Sequence, residues 1–372
     1  MIVGVPTEIK THEYRVALTP ATAREAVEHG HDVLLQSGAG EGSGHADDDY
    51  TAQGARIVPT AEDVFAEAEM VLKVKEPQPD EVAMLSPGQI LFTYLHLAAD
   101  KELATTLRDS GAVGIAYETV ELPGHGLPLL APMSEIAGRM AVQVGAYFLE
   151  KAEGGRGILL GGIPGVMPAK VVVVGAGMAG ANAAVIAMGM QARVVALDRN
   201  ADKLRHLDAT YRGHIMTLSS NRLTLEEQVV DADLLVGAAL IPGASAPKLV
   251  TEDMIRSMRP GSVVVDISID QGGCFATSRP TSHDKPVYVE HEVVHYAVTN
   301  IPGAVPHTST YGLTNATLPY ILQIADLGLA GSVSANPAIR AGVNVAEGEV
   351  VHPAVADSLD LEYRSVAEVL GF

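Results

Sequence analysis

The chain has 372 residues, 47% of them hydrophobic, and carries a net charge of −20 from 25 Lys+Arg against 45 Asp+Glu. That length exceeds one ordinary core and points to two domains, while the acidity argues against nucleic acid or an anionic membrane surface as a partner. The single cysteine, Cys274, leaves no intramolecular disulfide and no cysteine metal framework, and points to a reducing cytoplasm.

The N-terminus lacks a basic stretch followed by a long apolar run, so no signal peptide is expected. Ile2 to Val5, Asp32 to Leu35, Met70 to Val74, Ile90 to Tyr94 and Val113 to Ala116 read as strands. Pro20 to Glu28, Ala61 to Ala68 and Asp100 to Asp109 read as helices, with Thr19 and Thr60 as caps. Such alternation predicts an α/β fold with a parallel sheet covered on both faces. Three candidate side chains follow strands here. Arg15 has a fork that suits a carboxylate, although it could equally be a surface arginine pairing with Glu8 or Glu13. Lys75 follows the strand from Met70, where α/β sheets bind ligands. His96 follows the strand from Ile90, with a satisfied core histidine as the alternative.

Pro123, Gly124, Gly126 and Pro128 mark Leu122 to Leu129 as a loop and a candidate boundary. A helical pattern from Ser134 to Ala152 and a Gly/Pro-rich loop, Gly154 to Pro168, come next. Val171 to Ala192 is uncharged for 22 residues, long enough to span a bilayer. Glycines at turn spacing and Asn182 instead make it a buried strand, a turn and a helix. The turn is G-x-G-x-x-G: Gly175 for tightness, Gly177 for close approach of a pyrophosphate, Gly180 for helix–strand packing. The helix start, with Met178 and Ala179, offers free N–H groups to phosphates. A second strand, Arg193 to Leu197, leads to Asp198, 18 residues beyond Gly180, where a ribose hydroxyl ligand is expected. These features predict a dinucleotide site for NAD.

Further strands are predicted at Leu234–Val236 and Val263–Ile269, and near Ala297. Asp270 ends the Val263 strand and is a candidate for proton transfer, with Asp266 as its rival. His291-Glu-Val-Val-His295 matches the zinc-protease pattern H-E-x-x-H, but its β-branched surroundings predict extended chain rather than the helix that chemistry needs. Asn300 to His307, with Pro302, Gly303 and Pro306, reads as a hinge-like return. Thr314 to Leu329 reads as a helix, and the tail from Asn336 is expected to pack on the first domain. Two cations, an imidazole and a carboxylate at strand ends suit a small anionic 2-oxo acid and proton transfer beside a nicotinamide.

Along essentially its whole length the sequence resembles the L-alanine dehydrogenase family. The resemblance is carried by Gly4-Val-Pro-Thr-Glu-Ile-Lys, Tyr14-Arg15-Val-Ala, Leu72-Lys-Val-Lys75-Glu-Pro77, Thr93-Tyr-Leu-His96-Leu, Ala116-Tyr-Glu-Thr119 and Leu130-Ala-Pro-Met-Ser134-Glu. It continues through Gly161-Gly-Ile-Pro-Gly165-Val, Val265-Asp-Ile-Ser-Ile-Asp270 and Ser309 to Thr317. It implies the interconversion of L-alanine, NAD and water with pyruvate, ammonium and NADH. It also implies substrate contacts by Arg15 and Lys75 and acid–base roles for His96 and Asp270. Cofactor contacts are implied for Ser134, Lys203, Ser220, Ala239, Leu240, Ile267, Ser268, Ile269, Asp270 and Arg279, and for Val298, Thr299, Asn300 and Ile301.

The family implies a cytoplasmic homohexamer and two Rossmann-like domains, with the NAD-binding domain (129–306) inserted in a catalytic domain (1–128 plus 307–372). Some members bind a divalent ion through a glutamate and a histidine where this chain has Gln323 and Leu327, so no metal is expected there. Two alternatives are the soluble part of proton-translocating transhydrogenase, which looks different around His96 and belongs with a membrane domain absent here, and a non-enzymatic NAD-binding regulator.

Overall fold

In the computed structural model, residues 1–124, 126–239 and 246–371 are described. The chain divides into two units, Met1–Met133 with Val305–Phe372, and Ser134–Ala304.

The first unit is built on six short strands whose apolar side chains face both layers: β1 (Ile2–Val5), β2 (Asp32–Gln36), β3 (Arg56–Val58), β4 (Met70–Leu72), β5 (Ile90–Thr93) and β6 (Val113–Ala116). They run parallel in the order β3-β2-β1-β4-β5-β6. Helix Pro20–Glu28 starts where the Thr19 hydroxyl accepts the N–H of Thr22, and helix Ala61–Glu67 where the Thr60 hydroxyl accepts that of Asp63. Both caps are the expected ones.

In the tail, β14 (Val343–Ala346) adds antiparallel to β6, and β15 (Glu349–Val350) adds antiparallel to β14. Val345, Val350, Val355 and Leu359 join Leu91, Leu95 and Leu107 in one core cluster. The tail therefore completes the first unit, as its lack of an independent core required.

In the second unit, β7 (Lys170–Val174), β8 (Arg193–Asp198), β9 (Ile215–Ser219), β10 (Leu234–Gly237), β11 (Val263–Asp266), β12 (Val287–Glu290) and β13 (Val293–Tyr296) form the order β9-β8-β7-β10-β11-β13-β12. Only β12 is antiparallel. The four valines of β7 are fully buried, which fits a central parallel strand covered on both faces. The uncharged stretch from Val171 is thus a strand, a turn and helix Met178–Gly189.

Numbering the parallel strands of each unit alone, both units share the order 3-2-1-4-5-6. Each has a switch point, between β1 and β4 and between β7 and β10, outside the carboxyl ends of which such sheets bind ligands.

Several boundaries differ from expectation. The helix predicted over 134–152 spans Ala131–Phe148, and the one predicted over 314–329 spans Pro306–Ala335, with non-helical backbone at Gly328. That helix is long and apolar enough to cross a membrane, yet it packs on Pro20–Glu28, Glu41–Ser43 and Pro337–Gly342. The strand expected near Ala297 lies at Val293–Tyr296.

The H-E-x-x-H segment is a hairpin. His291 and Glu292, at φ 52° and 59°, are the turn between β12 and β13, the geometry of a two-residue type I′ loop. His295 lies buried in β13, with Nδ1 donating to the Val293 carbonyl and Nε2 accepting from Thr277. Burial pushes its pKa down, so it sits neutral, and the two histidines are not arranged as helix-borne zinc ligands.

Candidate functional site

The strands that carry the candidate residues end the same way: a carboxylate captures the backbone N–H groups just beyond the ladder. Beyond β4, Glu8 Oε1 accepts from Val74 at 2.6 Å and from Lys75 at 3.4 Å. Beyond β5, Glu118 accepts from Leu95 at 3.2 Å and from His96 at 2.6 Å. Beyond β8, Asp198 accepts from Asn200 at 2.8 Å, and its second oxygen reaches Ala176 in the turn after β7 at 2.7 Å. Beyond β11, Asp266 accepts from Ser268 at 3.1 Å. These captures explain why β4, β5 and β11 stop at Leu72, Thr93 and Asp266, short of the predicted Val74, Tyr94 and Ile269. A side-chain acceptor offers the backbone an alternative to the sheet.

In the first unit Arg15 is 2% exposed and forked by Glu13, with Nε donating to Oε1 at 2.6 Å and Nη2 to Oε2 at 2.5 Å. The pairing is the one the surface reading offered, but the surroundings are a core. Nη1 lies 3.1 Å from the sulfur of Met133. Lys75, half-buried, has its carbonyl fixed by the Thr93 hydroxyl at 2.8 Å.

Lys73, two residues earlier, is wholly buried with Nζ 2.9 Å from Glu8 and 2.7 Å from Glu81. Burial works against its charge, and the two carboxylates outweigh it, so its pKa lies above the ordinary lysine value. Sequence alone assigned no role to Lys73 and offered Glu8 and Glu13 only as surface partners of Arg15. The available signal was a lysine flanked by apolar residues in a strand buried on both faces, which demands partners.

His96 holds a left-handed backbone, φ 51° and ψ 30°. Its ring lies parallel to that of Tyr94, at 7° and 5.9 Å between centroids. Tyr94 is anchored by its hydroxyl to the Leu129 carbonyl at 2.5 Å. The imidazole remains about half exposed, with Nδ1 4.0 Å from Glu118 Oε1. This is not a core histidine.

In the second unit Gly175 has φ +102°, and a Cβ there would lie 2.7 Å from the Ala238 carbonyl oxygen. A Cβ on Gly180 would lie 1.7 Å from the Gly175 carbonyl oxygen. Both positions admit glycine alone. Around Gly177, the N-cap of the following helix, the nearest atom to a Cβ would be Lys203 Nζ at 3.8 Å. That leaves room for a phosphate at the helix start beside Met178 and Ala179. Lys203 Nζ is also 3.8 Å from the Asp198 carboxylate, and the N–H of Ser220 donates to the Asp198 carbonyl.

The two candidate carboxylates at β11 have different surroundings. Asp266 is 1% exposed and accepts from Ser268, Cys274, Phe275 and the Ser278 hydroxyl, so it organises the turn. Asp270 is exposed, on the one-turn helix Ile267–Gln271. Ser268, on the same turn, ties to Ala239 through its hydroxyl at 2.7 Å, beside the end of β10; Ile269 is buried.

Arg279 lies over the Tyr288 ring, 3.6 Å from the centroid, and pairs with Glu290 at 2.7 Å. Val298 bridges to Thr281, the Thr299 N–H donates to the Thr281 carbonyl, and the Asn300 carbonyl accepts from His283. Asn300 has φ 63°, and Ile301, itself buried, opens a turn of helix. Ser134 is half-buried at the start of the unit, and Leu240 lies outside the described residues. Gly175, Asp198, Ala239 and Ile267–Asp270 thus stand together at the carboxyl edge of one sheet; Arg15, Lys75 and His96 stand likewise at that of the other.

Residues 4–137 match the N-terminal domain model of alanine dehydrogenase/PNT, and residues 141–353 match its C-terminal domain model. This chain belongs to the alanine dehydrogenase/PNT family. It is 55% identical to an alanine dehydrogenase of Halomonas elongata over the full length of both chains, and 54% identical to that of Bacillus subtilis, covering 98% of it. An L-alanine dehydrogenase structure matches at a TM-score of 0.94 and 50% identity, over 97% of this chain and 99% of that one. A transhydrogenase from Sinorhizobium meliloti matches at 0.81 and 26%, over 95% and 100%. The fold is common to both branches of the family, and the sequence lies much nearer the alanine dehydrogenases.

Proposed function

We propose that the chain is an NAD-dependent amino-acid oxidoreductase that converts L-alanine, NAD and water to pyruvate, ammonium and NADH, and runs the reverse reaction. The observation that carries this reading is end-to-end identity above 50% with alanine dehydrogenases. The residues present fit NAD: Gly175 and Gly180 shape a turn that a Cβ would break, Gly177 leaves the helix start open, and Asp198 sits at the end of the second strand.

NAD, when bound, takes up a hydride from the substrate carbon in one direction and its reduced form returns it in the other. The chain's own residues do the rest. Arg15 and Lys75 hold the substrate carboxylate, supplying positive charge that the acidic surface lacks. His96 and Asp270 move protons as ammonia adds to the carbonyl and water leaves, and as water attacks in reverse. Asp198 accepts the ribose hydroxyls and Lys203 lies beside them. Met178, Ala179 and the glycine turn receive the pyrophosphate. Ser134, Ser220, Ala239, Leu240, Ile267, Ser268, Ile269, Arg279 and Val298–Ile301 complete the cofactor contacts. In this reading residues 1–128 with 307–372 are the catalytic domain and 129–306 the NAD domain.

The proposal includes a cytoplasmic homohexamer that needs neither membrane nor nucleic acid. Leu159, Ile163, Val166 and Met167, each at least 59% exposed, support burial against another copy. It includes no metal at Gln323 and Leu327, and Gln323 Oε1 already accepts from Asn336. The direct test is the reduction of NAD by L-alanine with pyruvate and ammonium released one for one; no NADH formed from L-alanine would refute it.

A further inference from the structure

We propose that Glu118 is a positioning residue for His96, holding the imidazole ready for proton transfer; the inference rests on the acid–base reading of His96 above. Glu118 sits in the turn Tyr117–Thr119 that follows β6, in the strand position next to β5. From there its carboxylate reaches across to the neighbouring strand end.

Three contacts converge on it. Oε1 accepts the His96 N–H at 2.6 Å, both oxygens lie within 3.3 Å of the Leu95 N–H, and Oε1 is 4.0 Å from His96 Nδ1. The two backbone bonds hold His96 in the left-handed conformation, φ 51°, which an L residue with a side chain does not favour. That backbone carries the imidazole out of the strand and lays it parallel to Tyr94. The same carboxylate stands on the Nδ1 side of the ring. It favours the tautomer that keeps the proton on Nδ1 and leaves Nε2 to exchange protons with substrate, and it stabilises the imidazolium formed when Nε2 takes one. An acid that orients a catalytic base in this way acts through the base. Among the described residues, the charged or titratable groups around the pair include Tyr94, whose pKa burial raises, and half-buried His352, at which the charges of Glu118 and Glu121 are both felt. None of them replaces the contact with Nδ1.

The test is a double-mutant cycle on the full-length enzyme with Glu118→Gln, His96→Ala and the pair, reading kcat and KM for pyruvate plus ammonium and the binding of NADH. Glutamine keeps the shape and an acceptor for the backbone but loses the charge. Expected is a fall in kcat of roughly 10- to 100-fold for Glu118→Gln, the scale of impaired acid–base catalysis, with KM for pyruvate and NADH binding within about 2-fold. In the His96→Ala background the same change should cost less than about 2-fold, because its effect passes through His96. Glu118→Asp, which keeps the charge, should recover most of the lost kcat and serves in its own right if the glutamine variant does not fold. An equal loss in both backgrounds, or aspartate no better than glutamine, would overturn the proposal. Near-normal kcat in His96→Ala alone would instead remove the reading of His96 on which it rests.

Discussion

The carboxylate of Asp198 accepts the backbone N–H of Ala176 at 2.7 Å, so the acid at the end of β8 is tied directly into the glycine turn that follows β7. The two parts of the dinucleotide fingerprint form one hydrogen-bonded piece. A 2′-phosphate would bring a second negative charge to this half-buried acid. At about 4 Å and an effective dielectric of about 20 the repulsion is ~4 kcal/mol as an upper bound, and half of it is roughly 30-fold in affinity.

NADH should therefore be preferred over NADPH. Asp198→Ala should weaken NADH, improve NADPH and narrow the ratio of their kcat/KM values, with Arg199 and Lys203 near enough in sequence to favour the phosphate. A ratio untouched by the substitution would mean that another residue reads the ribose.

For the chemical step, His96→Ala and Asp270→Asn should each lower kcat by at least about 100-fold while NADH still binds. Both side chains are exposed at strand ends, so neither change should disturb a core. Steady-state rates with fluorescence binding of NADH check this, and near-normal kcat in either variant would remove that residue from the chemistry.

Arg15→Lys keeps the charge but loses the fork that Glu13 holds at two nitrogens. KM for pyruvate should rise roughly 10-fold, equivalent to about 1.4 kcal/mol, with a smaller change in kcat. Lys75→Ala should remove turnover instead. An unchanged KM in Arg15→Lys would place the guanidinium outside the substrate contacts.

Lys73→Met tests the buried network behind the site. It leaves the Glu8 and Glu81 carboxylates without their shared cation, a change that costs about 3–5 kcal/mol when a buried pair is broken. Burial already pushes the Glu8 carboxyl above its ordinary value, and attraction to Lys73 opposes that. A group raised in the folded state contributes stability below its unfolded pKa and loses it as pH rises through the folded value. Removing Lys73 raises Glu8 further, so the deficit against wild type should be small near pH ~4 and grow toward pH ~7. Melting temperatures across that range measure it, and a deficit independent of pH would show that Glu8 is not the group left exposed to the loss.

Much of this was legible in the chain. The glycine spacing after an all-valine strand defines the turn at Gly175, and alternating apolar runs with Thr19 and Thr60 define the layers of the first unit. What escaped were features that depend on distant partners. Arg56–Val58 is three residues long, and Ile215–Ser219 is a mixed edge strand, so neither carries a clear period. The ends of β4, β5 and β11 were placed too late because the stop signal for β4 and β5 is a carboxylate more than 20 residues away, and for β11 it is the strand's own Asp266 turning back on Ser268. The surface alternative for Arg15 rested on the local partner Glu13, while its burial comes from tertiary packing.

In the proposed reaction, reduction by NADH takes place on the product of pyruvate and ammonia rather than on pyruvate itself. Oxidation of NADH should therefore be followed with pyruvate plus ammonium and with pyruvate alone, and the amino-acid product identified. Rapid oxidation is expected only when ammonium is present, with one L-alanine formed per NADH consumed. Equal oxidation with pyruvate alone, yielding a hydroxy acid, would contradict it.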